Sequence, residues 1–165
     1  HAPEPCGMAP TGRQWFPLTM RDPSERWRGV VGARAALDAF LDEELQRYQL
    51  TPDRLALVGF SQGTMMALHV GLRRAVMPAA ILGFSGVLVG PEHLDEATGT
   101  PSILLVHGDQ DNVIPLEALF MSADALGKAE IPCQWHLSFG IGHGIDGGGL
   151  HHGGLFLAEA LRSKK

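Results

Sequence analysis

The chain has 165 residues, 45% of them hydrophobic and 19% charged, which fits one globular domain over 1–165 and argues against a disordered chain. Its net charge of −5 and the lack of any basic run argue against nucleic acid or an anionic membrane as partner. No apolar stretch is long enough for stable membrane insertion. Two cysteines, Cys6 and Cys133, lie far apart and outside any CxxC pattern. They make no disulfide framework, and a reducing, cytoplasmic compartment is the expectation. The first residue is His1 rather than Met, so the start of the chain says nothing about a leader.

Residues 1–26 carry Pro3, Pro5, Pro10, Pro17 and Pro23 and read as irregular chain, with Trp15-Phe16 as an apolar anchor. Residues 27–48 read as a helix, because Val30, Leu37, Leu41, Leu45 and Tyr48 fall on one stripe. Ser24 is a candidate start, and Pro52 lies just beyond the end. The run LALVGF (55–60) is apolar almost throughout, as a strand buried on both faces of a parallel sheet would be. A helix is expected over 63–75, then a second buried strand over 79–86 and a third over 102–108. A helix over 116–129, a strand over 133–139 and a helix over 154–163 complete the pattern. Strand and helix alternate from residue 27 onward, the signature of an α/β fold with a mostly parallel, helix-covered sheet. Right-handed crossovers then bring all four strand ends to one edge, where such folds place their chemistry. The 21 glycines are roughly twice the average share. They cluster after the strands and over 140–154, as expected of a site built from loops.

At that edge stands Gly59-x-Ser61-x-Gly63, with a strand before it and a helix after it. This is the setting of a nucleophile elbow. A sharp turn lifts the serine Oγ above the sheet and points the next backbone N–H, that of Gln62, at a developing oxyanion. The glycines on either side are expected to lack bulk so that strand and helix can approach. Ser85, in GFSGV, follows a similar strand but has Val87 where the pattern needs glycine, and reads as a strand-end serine. A serine needs a base, and the base needs an orienting acid. Asp109 and Asp111 follow the third strand, and His143 follows the fourth. Asp109 lies close to the strand end, where aspartate commonly bonds its own turn. Asp111 lies further out, within reach of a neighbouring loop.

Eight histidines compete for the base. His136 lies within a strand, His69 within a helix, and His107 precedes the acid. His93 is in a connection, His1 is terminal, and His151 and His152 flank a helix start. His143 alone has the chain order, the strand end and flanking glycines. His143, Asp146, His151 and His152 are close in sequence, but no HExxH or cysteine pair supports a metal site. Residues 142–147, GHGIDG, match GxGxxG, yet no acidic residue follows about 20 positions on, so dinucleotide binding is discounted. No cofactor is implied.

Taken together, GRQWFPL, LALVGFSQGTMMAL, GFSGVL, HGDQDNVIP and FGIGHGI resemble the carboxylesterase/phospholipase branch of the α/β-hydrolases, which includes acyl-protein thioesterases. The resemblance covers nearly the whole chain. It implies an α/β-hydrolase three-layer sandwich with Ser61 as nucleophile, Asp111 as acid and His143 as base. It further implies Gln62 N–H as one oxyanion donor and Trp15-Phe16 near the acyl side of the cleft. Val113 and Ile114 are further candidates for that wall, with core membership as the competing reading. The implied activity is hydrolysis of small-molecule or lipid esters, or thioesters, through an acyl-enzyme. Members of the family carry an HG-type loop after an early strand, which supplies the second oxyanion N–H. Here HG occurs only after Ser61, so the resemblance implies a chain that begins after the early strands. The strand 55–60 is then expected at a sheet edge, favouring a homo-oligomer or association with an N-terminal segment. Loss of one oxyanion donor costs about 10²–10³ in turnover. A catalytically impaired domain with a binding or assembly role is therefore the alternative reading.

Overall fold

The computed structural model describes residues 1–7, 11–19, 22 and 24–162. Pro10 and Pro23 of the proline-rich segment, and Ser163 at the expected end of the last helix, lie outside the described residues.

The first 26 residues are less irregular than their prolines suggest. β1 (Glu4–Pro5) and β2 (Arg13–Gln14) pair antiparallel, Glu4 opposite Gln14 and Pro5 opposite Arg13. A two-stranded ribbon is all edge, so the missing N–H of Pro5 is tolerated there. α1 (Glu25–Tyr48) buries Val30, Ala33, Leu37 and Leu41. Tyr48, expected on this stripe, is exposed, because it is the last helical residue and lies beyond the buried stretch that ends at Leu41.

β3 (Ala56–Phe60) leads into α2 (Gln62–Gly71), and β4 (Ala80–Phe84) follows. α2 stops four residues short of the expected 63–75 for a visible reason. Arg73 and Arg74 turn inward to ion pairs, Arg73 Nε with Glu96 at 2.7 Å and Arg74 with Asp38 and Asp42 of α1. Thr98 meanwhile takes up the carbonyls of Leu72 and Arg74. β5 (Ser102–Gly108), α3 (Glu117–Lys128) and β6 (Cys133–Ser138) come next.

α4 (Gly147–Arg162) starts seven residues earlier than the apolar pattern implies. Its first turn is capped by Asp146, whose carboxylate accepts the N–H groups of Gly148 and Gly149 at 3.1 and 3.0 Å. The glycines inside it are packing residues rather than loop residues. A Cβ on Gly153 would lie 2.8 Å from Leu82, and one on Gly149 would lie 2.9 Å from Val106. The helix therefore rides closer to the sheet than alanine would allow.

The four longer strands form a parallel sheet in the order β3-β4-β5-β6, with Phe60, Phe84, Val106 and His136 in register. Alternate residues face opposite layers. Leu57, Ile81, Ile103 and Leu105 join the core formed with α1, α2 and α3. Ala80, Leu82, Phe84, Leu104 and Val106 pack with Phe156 of α4 on the other face. The result is a three-layer α/β sandwich, and each crossover returns the chain to one carboxyl edge. β3 stands at a side of the sheet with Val58 and Phe60 exposed.

Candidate active site

The turn from β3 to α2 carries a backbone conformation that L-residues rarely adopt. Ser61 has φ 53° and ψ −116°, a strain of about 1–3 kcal/mol that the surroundings must hold in place. They do so through β4. Ser61 N–H donates to the Phe84 carbonyl at 2.9 Å, and the buried Thr64 hydroxyl sits 2.9 Å from the carbonyls of both Gly59 and Phe84. The bulk rule expected on either side of the serine holds on one side only. A Cβ on Gly59 would lie 2.3 Å from the Gly63 backbone, whereas one on Gly63 would meet open space. It is the backbone of residue 63 that crowds residue 59, not the reverse. Gln62 opens α2, so its N–H has no intrahelical partner.

Two further loops complete the edge. After β5, Asp111 is buried, and its Oδ1 accepts the N–H groups of Val113 and Ile114, each at 2.9 Å. Its Oδ2 lies 2.8 Å from Nδ1 of His143, from the loop after β6. Burial works to raise the Asp111 pKa. The hydrogen bonds from His143, Ile114 and Val113 outweigh it and hold the carboxyl below its ordinary value. An ionised carboxylate only accepts, so Nδ1 carries the proton and the neutral ring keeps its lone pair on Nε2, as a base requires. Phe60, the residue before Ser61, sets its ring 4.9 Å from that of His143. The structure thus brings Asp111 and His143 into direct contact and joins the elbow to them through Phe60.

The other candidates fall into supporting places. Asp109 Oδ1 accepts the Gly140 N–H at 2.6 Å and ties the β5 loop to the β6 loop. His107 is buried beneath the acid, its Nε2 2.8 Å from the Ile114 carbonyl and 3.4 Å from Asp111 Oδ2. His151 and His152 lie within α4 rather than flanking its start, and the His152 ring lies 4.1 Å from that of His136, tilted by 37°. Among the described residues, no group of three or more His, Cys, Asp or Glu side chains is arranged to hold a metal ion. The GxGxxG stretch ends at α4, where the Asp146 carboxylate occupies the N–H groups that would receive a pyrophosphate. Burial pushes the Cys133 thiol up to about 12, which leaves it a poor rival nucleophile.

Phe16 is buried, with its ring where a Cβ on Gly29 would sit 2.2 Å away, and Ile114 is also buried; both belong to the core. Trp15 is half-buried, and Val113 is exposed. A cavity of about 520 Å³ runs beside Trp15 and α1. Another, of about 340 Å³, lies between the loops after β4 and β5 and is lined by Val87, Leu88, Pro115 and Met121. The second adjoins the sheet edge that carries Asp111, because both its loops leave the sheet there. Two contacts had no signal in the sequence. Ser85 donates its hydroxyl to the Gly144 carbonyl, 3.1 Å away and next to His143. The Gln62 carboxamide bonds the backbone of Trp15 and Phe16.

Residues 1–160 match the phospholipase/carboxylesterase family. The chain belongs to that family. It is similar to a crystal structure of esterase PE8, with a TM-score of 0.92 and 41% identity over 97% of this chain and 76% of that one. It is 30% identical to the esterase YpfH of Escherichia coli over 87% of this chain and 60% of that protein. It is also 30% identical to acyl-protein thioesterase 1 of Gibberella zeae over 70% of this chain and 52% of that protein. The crystal structure of SOBER1 from Arabidopsis thaliana shares the fold, with a TM-score of 0.73 at 21% identity. The chain is thus an α/β hydrolase in fold, and it spans 52% to 64% of the length of the first curated relatives it matches. No described helix is long and apolar enough to cross a membrane.

Proposed function

We propose that this chain carries the catalytic machinery of a serine hydrolase that cleaves carboxylic esters or thioesters through an acyl-enzyme. The contact between His143 Nδ1 and Asp111 Oδ2 on the sheet edge shared with the Ser61 turn carries the reading. Family membership supports it. Ser61 Oγ attacks the acyl carbonyl while His143 Nε2 takes its proton. Asp111 fixes the imidazole tautomer and stabilises the imidazolium. The Gln62 N–H stabilises the oxyanion. His143 then returns the proton to the departing alcohol or thiol, and water, activated by the same base, releases the acid. The residues supply every proton and charge in this scheme without a cofactor.

The apolar cavity between Val87 and Met121 supports an acyl group as the part of the substrate that is recognised. Trp15 and Phe16 line the cavity beside α1 rather than this one, and there they are candidates for a further substrate wall. The exposed β3 edge supports pairing with a further strand, from a second copy or from an N-terminal segment. The free Cys6 and Cys133 fit a reducing, cytoplasmic setting.

The test is labelling by a fluorophosphonate. We expect one label per chain, lost in Ser61→Ala. A folded chain that takes no label, or labelling that survives Ser61→Ala, overturns the reading. A chain-length series of p-nitrophenyl esters then reports the acyl preference.

A further inference from the structure

The Ser61 turn is held from two sides by different means. On the β4 side, Ser61 N–H and the Thr64 hydroxyl bond the Phe84 carbonyl. On the other side β3 is the last strand of the sheet. There the Gln62 side chain reaches to the segment after β2. Its Oε1 accepts the Trp15 N–H at 2.7 Å, and its Nε2 donates to the Phe16 carbonyl at 2.8 Å. One carboxamide thus makes a donor–acceptor pair with two consecutive backbone groups, as a neighbouring strand would. The segment it grips is itself anchored, because the Phe16 ring is buried against Gly29 of α1.

We propose that the Gln62 carboxamide is a positioning group: by clamping its own residue to the Trp15-Phe16 backbone, it fixes the direction of the Gln62 N–H toward the reacting acyl oxygen. The inference rests on the Ser61 reading above for its catalytic consequence, but the clamp itself is independent of it. The physical logic is that N–H and side chain share one Cα. With the carboxamide held at two atoms and the preceding peptide held by β4, residue 62 has little freedom to rotate. Oxyanion stabilisation depends on that preorganisation more than on the strength of any one bond. The site needs an acceptor for Trp15 and a donor for Phe16, and the Gln62 amide meets both without a charge. A carboxylate supplies the first and sets a negative charge against a carbonyl at the second.

Two variants separate positioning from packing. In Gln62→Met, which keeps the length and removes both bonds, kcat on a short p-nitrophenyl ester should fall by about 10- to 100-fold, less than the 10²–10³ of losing the donor itself, with KM nearly unchanged. In Gln62→Glu the deficit should depend on pH. The kcat ratio of variant to parent should rise as pH falls from 8 to 5, because a protonated carboxyl regains the donor to Phe16. Amide hydrogen exchange at Trp15 should be at least tenfold faster in Gln62→Met. Parent-like kcat in Gln62→Met, or a Gln62→Glu deficit constant with pH, overturns the positioning role. Unchanged exchange at Trp15 overturns the clamp. Labelling that survives Ser61→Ala would instead defeat the nucleophile assignment, and the exchange measurement would still decide the clamp.

Discussion

Ser61 and Ser85 stand at the same place on adjacent strands, and only one of them has the surroundings of a nucleophile. Each follows a phenylalanine that ends its strand, and Phe60 and Phe84 are register partners. Each has a positive φ, 53° and 46°. Each donates its N–H at 2.9 Å to the neighbouring strand, Ser61 to Phe84 and Ser85 to Val106. They part at the next residue. After Ser61 the chain enters α2, so a helix N-terminus, whose first N–H groups lack intrahelical partners, follows the serine directly. After Ser85 no helix begins, the residue is fully buried, and its hydroxyl is given to the Gly144 carbonyl. A left-handed serine at a strand end is therefore a scaffold element that the fold uses twice. A helix start and a half-open position set Ser61 apart and fit the nucleophile role proposed for it.

The most direct way to break this comparison is to remove each hydroxyl. Ser61→Ala should lower kcat by about 10⁶, whereas Ser85→Ala loses one hydrogen bond and should stay within about tenfold. Equal losses in an ester assay would show that the two turns are not functionally distinct. The aspartates offer the next contrast. Asp111→Asn leaves the wrong tautomer on His143 and should cost about 10⁴ in kcat. Asp109→Asn, which disturbs only the bond to Gly140, should stay within about tenfold.

A smaller effect separates the two glycines of the turn. Gly59→Ala should destabilise the chain by about 1–3 kcal/mol through overpacking, while Gly63→Ala in the first turn of α2 should be neutral or slightly stabilising. Urea unfolding of both variants checks the difference.

Acid sensitivity gives the finest cut, because it distinguishes the site from its scaffold. Burial, and then the charges of Arg73 and Arg34, hold the pKa of His69 down from 6.5 to about 4. Below pH 6.5 the unfolded chain takes up a proton here that the folded chain refuses until about pH 4, so stability falls as pH falls across that window. His69→Leu should flatten this fall in thermal unfolding measured from pH 7 to 4, and should leave the pH profile of ester turnover unchanged.

Much of this could be read from the chain because it follows from local pattern. The apolar runs at 55–60, 79–86 and 102–108 mark three strands of the parallel sheet; the last two are central and the first is its edge. The expectation of Ser61, Asp111 and His143 on one edge rests on loops that return there and on the family resemblance. The misreadings came where partners distant in sequence decide the outcome. α4 begins at Gly147 under the Asp146 cap, and Gly149 and Gly153 let it pack closely on Val106 and Leu82; nothing in a run of glycines announces that. Tyr48 fits the helical period but falls beyond the core. The Phe16 ring is buried against Gly29 of α1, and the residue still lines the cavity beside that helix.

Residue order along the chain was enough to specify the alternation of strands and helices, the serine turn and the sequence of acid and base, because each rests on hydrophobic period and local turn chemistry. Tertiary structure alone set the 2.8 Å contact between His143 and Asp111, the aspartate that the sequence already favoured, gave the Ser85 hydroxyl to Gly144, and closed the Gln62 carboxamide on a segment 46 and 47 residues earlier. Those choices depend on which loops meet above the sheet, and that is set by packing across its two faces.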